Sequence, residues 1–309
     1  MPPNDTTIDG NEVITLGRSF DAARLLFVQS NATVILKNLH LDGGTSPNGM
    51  IVYNAGTLTL TSSTISGDAF VGLSNSGALT VKDSVISMGD ANVVFVNSGM
   101  ATIKGSEISG ANIDQAGIGQ NGGTLIIEAS IVSLNITNFS NGGVENTGIL
   151  TIKGSLFSNN VSRNGDGAVR NLGTLSVSDS VFFGNRGNQN SRSFCGALDN
   201  KGIATVKDSE FIDNDASDFG NGGAICNTGA ITVANSTFFG NSARYGGAIA
   251  NGGTLTLKDS TITGNFADIH ARGSLNGSGA DDKTGIIRRP QMEYQPRLLA
   301  LIMTKGEPT

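Results

Sequence analysis

Apolar and polar residues alternate along this chain in short bursts that return about every 25 positions, with spacings of 21 to 29. The glycines Gly56, Gly77, Gly99, Gly123, Gly148, Gly173, Gly202, Gly229 and Gly253 serve as origins. Two places on stand Leu58, Leu79, Ala101, Leu125, Leu150, Leu175, Ala204, Ile231 and Leu255; four places on stand Leu60, Val81, Ile103, Ile127, Ile152, Val177, Val206, Val233 and Leu257. A period of two predicts a strand with these side chains inside. The third place is mostly threonine (Thr59, Thr80, Thr102, Thr151, Thr205, Thr232, Thr256) and faces outward, where β-branched residues suit a pleated surface. A second strand is centred nine places on, at Ile65, Ile86, Ile108, Val132, Phe157, Phe182, Phe211, Phe238 and Ile262.

Polar columns run between the strands. Seven places on, the chain reads Ser63, Ser84, Ser106, Ser130, Ser155, Ser180, Ser209, Ser236 and Ser260. Catalysis needs one activated serine beside a base. Nine equivalent serines fit a corner instead, each hydroxyl bonding backbone or the next serine. Asn160, Asn185, Asn214 and Asn241, with Asn135 and Asn265, form a second ladder. The asparagines from Asn54 to Asn251, two before each glycine, form a third. Stacked amides can bond along the axis, as in cross-β assemblies.

Repeats of this length, in which each coil buries its face only against a neighbour, mean a solenoid. The fold class expected is all-β: a right-handed single-stranded parallel β-helix of about ten coils, without a complete N-terminal cap. It is assigned to residues 1–270. Residues 271–309 break the pattern, beginning with a Gly/Ser-rich stretch, and are expected to form a flexible or irregular tail. Met1 opens onto Pro2-Pro3-Asn4-Asp5 with no signal-peptide pattern, and Ile8-Asp9-Gly10 already resembles an early coil. The expectation is a chain that starts inside a longer domain.

Composition narrows the function classes. Of 309 residues, 43 are glycine and 15% are charged, and the net charge is -6. Without a basic stripe a nucleic-acid role is not expected, and no apolar run is long enough for a spanning helix. Cys195 and Cys226 align four residues out of step on neighbouring coils, on the order of 13 Å along an extended chain. That exceeds disulfide reach, so two free thiols are expected.

Phe157-Ser158-Asn159-Asn160, Phe182-Phe183-Gly184-Asn185, Phe211-Ile212-Asp213-Asn214 and Phe238-Phe239-Gly240-Asn241 follow F-x-x-N. Gly222-Gly223-Ala224-Ile225 and Gly246-Gly247-Ala248-Ile249 follow G-G-A-[ILV], with partial copies at Gly167-Ala168-Val169 and Gly196-Ala197-Leu198. Over 142–265 this alternation resembles the repeats of polymorphic outer-membrane proteins, bacterial autotransporter-like surface proteins whose passenger is a pectate-lyase-like β-helix. The resemblance implies a secreted or cell-surface protein. The C-terminal membrane barrel of that family has no counterpart in this sequence.

The longest departures from the repeat are Arg186 to Phe194 and Asp215 to Asn221, in adjacent coils. Loops on a rigid scaffold concentrate function. The candidate binding residues are Arg186, Arg192, Phe194, Asp213, Asp215, Asp218, Arg244 and Tyr245; no catalytic residue and no metal ligand is assigned. The leading reading is a non-enzymatic adhesin-like or spacer module whose partner is a host or matrix protein or a polysaccharide. The alternative is a polysaccharide lyase, or another carbohydrate-active enzyme, using the loops of 186–221. In β-helix lyases carboxylates hold calcium and an Arg or Lys acts as base, so the resemblance makes calcium the one cofactor to consider. Against an enzyme, His40 and His270 lie in no hydrolase motif. Tryptophan is absent and only three tyrosines could serve as sugar platforms. Ice binding by the threonine column is disfavoured, because the adjoining outward column mixes Thr57 and Thr124 with Met100, Ile149 and Ile203.

Overall fold

A computed structural model describes residues 4–17, 24–43, 49–110, 112–113, 119–138, 141–187, 194–216 and 220–267. Every regular element among them is a strand, and every strand pairing is parallel. The architecture is therefore a parallel β-solenoid.

One face shows how it is built. The five-residue strands Thr57–Thr61, Ala78–Lys82, Met100–Lys104, Thr124–Glu128, Ile149–Lys153, Thr174–Ser178, Ile203–Lys207, Ala230–Ala234 and Thr254–Lys258 stack in unbroken register on Ala32–Asp42. At about 4.8 Å per coil this face runs about 45 Å along the axis. Its alternate residues are buried as the pattern requires, Leu58, Leu60, Leu150 and Ile152 among them. The first coils of the repeat are short, and there the later faces merge into long curved strands, Thr64–Asn75 and Val85–Asn97. Later coils carry more residues and break into separate strands such as Val169–Asn171, Leu198–Asn200 and Ile225–Asn227.

Two corners recur at fixed positions with a left-handed residue. Six places after the origin glycine these include Ser62, Asp83, Gly105, Ala129, Asp179 and Asp208; eleven places after, they include Gly110, Leu134, Asn159, Gly184, Asp213 and Gly240. Conformation repeats here although residue type does not, so the corner is imposed by the coil.

The interior is held by side-chain stacks. Phe157, Phe182, Phe211 and Phe238 lie face to face, with centroids 5.1, 4.7 and 5.0 Å apart. The backbone N–H of Ser84 donates to Ser106 Oγ at 3.1 Å, and the same bond links Ser106, Ser130, Ser155, Ser180 and Ser209 in turn. Each Oγ donates to the carbonyl two residues back, for instance Ser84 to Lys82 at 2.7 Å. Asn135, Asn160, Asn185, Asn214, Asn241 and Asn265 pass one Nδ2–H to the next Oδ1 at 2.8–2.9 Å. The ladder from Asn54 to Asn251 does the same at 2.7–2.8 Å. Buried amides and hydroxyls are costly without partners, and one coil supplies the partner for the next.

The expectation of free thiols is corrected: Cys195 and Cys226 form a disulfide with Cα atoms 5.8 Å apart. The alignment of the two coils holds, since Cys195 lies beside Gly222 and Cys226 beside Asp199. The straight-chain distance does not. Between Gly222 and Cys226 the chain folds back, and a Cβ on Gly222 would press on the Ile225 carbonyl and sit 3.0 Å from Cys226 N. Four residues of sequence therefore separate the two columns by little more than one side-chain pair.

Candidate functional site

The long-insert edge is ordered by two adjacent columns. Backbone bonds from Gly142 to Asp166, Gly167 to Cys195 and Gly196 to Gly222 set Asn141, Asp166, Cys195 and Gly222 one above another. These are the first positions of the G-G-A-[ILV] motif and its partial copies. Strand register sets Glu145, Arg170, Asp199 and Cys226 in the second column. The columns touch: Asn141 Nδ2 donates to Glu145 Oε2 at 3.0 Å, and the disulfide crosses from the first to the second.

A buried charge cluster fills this seam. Asp166 and Asp199 are 1% and 2% exposed. Asp166 Oδ1 accepts the Cys195 N–H at 2.9 Å, and the Asp166 N–H donates to Asn141 Oδ1 at 3.3 Å. Asp199 Oδ2 lies 3.0 Å from Lys201 Nζ and 3.8 Å from Arg170 Nε, while Arg170 Nη1 lies 3.6 Å from Glu145 Oε2. Oδ2 of Asp166 accepts no hydrogen bond, and Oδ2 of Asp199 is met only by Lys201 and Arg170. Burial, and next the charge of Asp199, hold the Asp166 carboxyl well above the usual carboxylate range; the Cys195 N–H, Arg170 and Lys201 oppose this only in part.

The structure distributes the sequence-nominated residues over neighbouring positions. Arg186 and Asp215 are in register on adjacent coils, with Nε 3.2 Å from Oδ2, both partly exposed. Asp213 occupies a left-handed corner at φ 51°, a position that short polar side chains tolerate. Phe194 accepts the Asn221 N–H at 3.2 Å through its carbonyl, and Gly220 accepts the Tyr245 N–H at 3.4 Å. Phe194 and Tyr245 thus flank the 220–221 backbone. Arg244 Cζ stands 5.4 Å from the Tyr245 ring centroid. Arg192 and Asp218 lie outside the described residues. Among the described residues no group of three or more His, Cys, Asp and Glu side chains is placed to hold a metal ion.

Asp199, Arg170, Lys201 and the disulfide were missed as a unit. Their signal was present in the two columns, four residues apart in each coil: Asp166 and Cys195 stand where the later coils have Gly222 and Gly246, and Glu145, Arg170, Asp199 and Cys226 follow uncharged residues such as Val96 and Gln120.

Comparison with known proteins brings no match, whether to a family model, a curated protein or a solved structure. No helix among the described residues is long and apolar enough to cross a membrane, which says nothing of a β-barrel.

Proposed function

We propose that this protein is a non-enzymatic β-solenoid module of the cell surface or extracellular space, a rigid adhesin-like or spacer element. The edge formed by Arg186, Phe194, Arg244 and Tyr245 is its contact surface for a matrix protein or polysaccharide. The observation that carries the reading is the Cys195–Cys226 bond, which ties together the two coils with the longest inserts. Disulfides persist in oxidising compartments, and this one cross-links adjacent coils of a scaffold otherwise held along its length by strand pairing and side-chain ladders. The resemblance of 142–265 to polymorphic outer-membrane repeats supports the same location.

The alternative, a polysaccharide lyase with calcium held by Asp213, Asp215 and Asp218, asks Arg186 or Arg192 to act as a base, and Arg192 lies outside the described residues. The Arg186 guanidinium is engaged with the Asp215 carboxylate at 3.2 Å, held in an ion pair between adjacent coils. Two assays separate the readings. Labelled protein should be retained on intact cells or matrix extract, and uronate polymers with calcium should yield no unsaturated uronide. Uronide release that disappears in Arg186→Ala would establish the lyase; absence of retention on every surface would refute the contact role.

A further inference from the structure

Asp166 and Asp199 stand in the same diagonal relation, first column to second and one coil up, as Cys195 and Cys226. The disulfide shows what that diagonal means: Cα atoms 5.8 Å apart with side chains turned toward each other. Two carboxyl groups placed this way are buried against one another. Around them Glu145 comes from one coil, Arg170 from the next and Lys201 from the turn after Asp199. Three carboxyl groups thus meet two cations, which leaves one negative charge uncompensated; Glu145, Arg170 and Lys201 reach partly to solvent, whereas Asp166 and Asp199 do not. Asn141 and the Cys195 N–H add dipoles but no charge. Asp166 Oδ2, fully enclosed and without a hydrogen-bond partner, is where a neutralising species would sit.

We propose that the Asp166–Asp199 pair is a proton-binding site that fastens the 194–199 segment to the solenoid in acid and loosens it as the pH rises. With one proton on Asp166 the cluster is neutral, and Asp166 Oδ1 still receives the Cys195 N–H. Loss of that proton leaves two like charges together in low dielectric. They separate by withdrawing either the turn that carries Asp166 or the segment that carries Asp199. The disulfide keeps Cys195 attached to Cys226 throughout, so opening stays local to this edge.

The sign follows from linkage. The folded-state pKa of Asp166 lies above its unfolded value of about 4. The folded state therefore holds more protons across the window from about pH 4 up to the raised pKa. The stabilisation is complete below that window and is lost as pH rises through it.

The test uses the intact chain. As the pH rises past the range in which ordinary carboxyl groups ionise, an infrared carbonyl band that outlasts the others reports a perturbed acid. Glu210, half-buried and also shifted upward by burial, is removed from the comparison with Glu210→Gln. We expect the band to persist in Glu210→Gln and vanish in Glu210→Gln/Asp166→Asn. The amide oxygen introduced by Asp166→Asn still accepts the Cys195 N–H, so this variant should lose the acid-side stability gain and melt about 2–4 °C above its parent at pH values where the parent's carbonyl band has disappeared. Hydrogen exchange at 194–199 should quicken with pH beyond its intrinsic dependence in wild type and not in Asp166→Asn. If the Asp166→Asn variant does not fold, the carboxyl ¹³C titration of aspartate-labelled wild type decides: one aspartate titrating well above the rest supports the site, and none overturns it. An unchanged pH profile in Asp166→Asn also overturns it, as does a calcium-induced rise in melting temperature that requires Asp166.

Discussion

Asp166 and Asp199 occupy, on adjacent coils, the same diagonal positions that one coil further on join Cys195 to Cys226. The relation can be made covalent. Asp166→Cys/Asp199→Cys should close a second disulfide on mild oxidation, detected as a mass loss of about two protons and two fewer alkylatable thiols, because its backbone geometry copies a bonded pair. Two reactive thiols that persist under oxidation would show that the diagonals differ.

The native disulfide joins residues 31 apart in sequence. Cys195→Ser/Cys226→Ser should cost about 2–4 kcal/mol of stability in denaturant titration. Hydrogen exchange should rise first at 194–200 and 220–227, while the strands of the stacked face keep their protection.

Asn185 sits midway in a buried ladder, donating to Phe157 O and Asn214 Oδ1 and accepting from the Asn160 N–H and Nδ2. Asn185→Ala leaves several of these groups unpaired and should destabilise by about 3–5 kcal/mol. Thr205→Ala, on the exposed side of a neighbouring strand, should change stability by less than about 1 kcal/mol. Comparable losses from the two would mean that the ladder contributes no more than surface propensity.

Leu134 holds φ 56° at an exposed corner where the next coil has Asn159 at φ 52°. A branched apolar side chain gains nothing there and is strained, so Leu134→Asn should raise stability by about 1 kcal/mol, read as a higher denaturation midpoint with unchanged slope.

The fold was legible because each coil repeats the same demand. Columns such as Leu58 to Leu255 carry period-two burial, and Ser63 to Ser260 mark one corner without exception. The left-handed corners were less visible, since Ala129, Asp179 and Gly105 adopt one conformation under different identities. The charged seam was hidden for another reason. Asp166 and Asp199 look like loop and strand-edge residues until two columns four residues apart are recognised as neighbours, and a linear count of extended rise places them too far apart. That same count made Cys195 and Cys226 look unbonded. The loop residues Arg186 and Asp215 could be placed in adjacent coils from the alignment of inserts, but their ion pair depends on register that no single column shows.

Binding of the intact chain to immobilised matrix extract and polygalacturonate tests the central claim most directly. Arg186→Ala/Arg244→Ala/Tyr245→Ala should lose at least about tenfold in affinity, about 1.4 kcal/mol, as expected when aromatic and arginine anchors are removed together. Lys82→Ala/Lys104→Ala/Lys153→Ala, on the lysine row that ends the strands of the stacked face, should bind as wild type. Equal binding by all three proteins, or loss only in the lysine variant, would contradict the assignment of the long-insert edge as the contact surface.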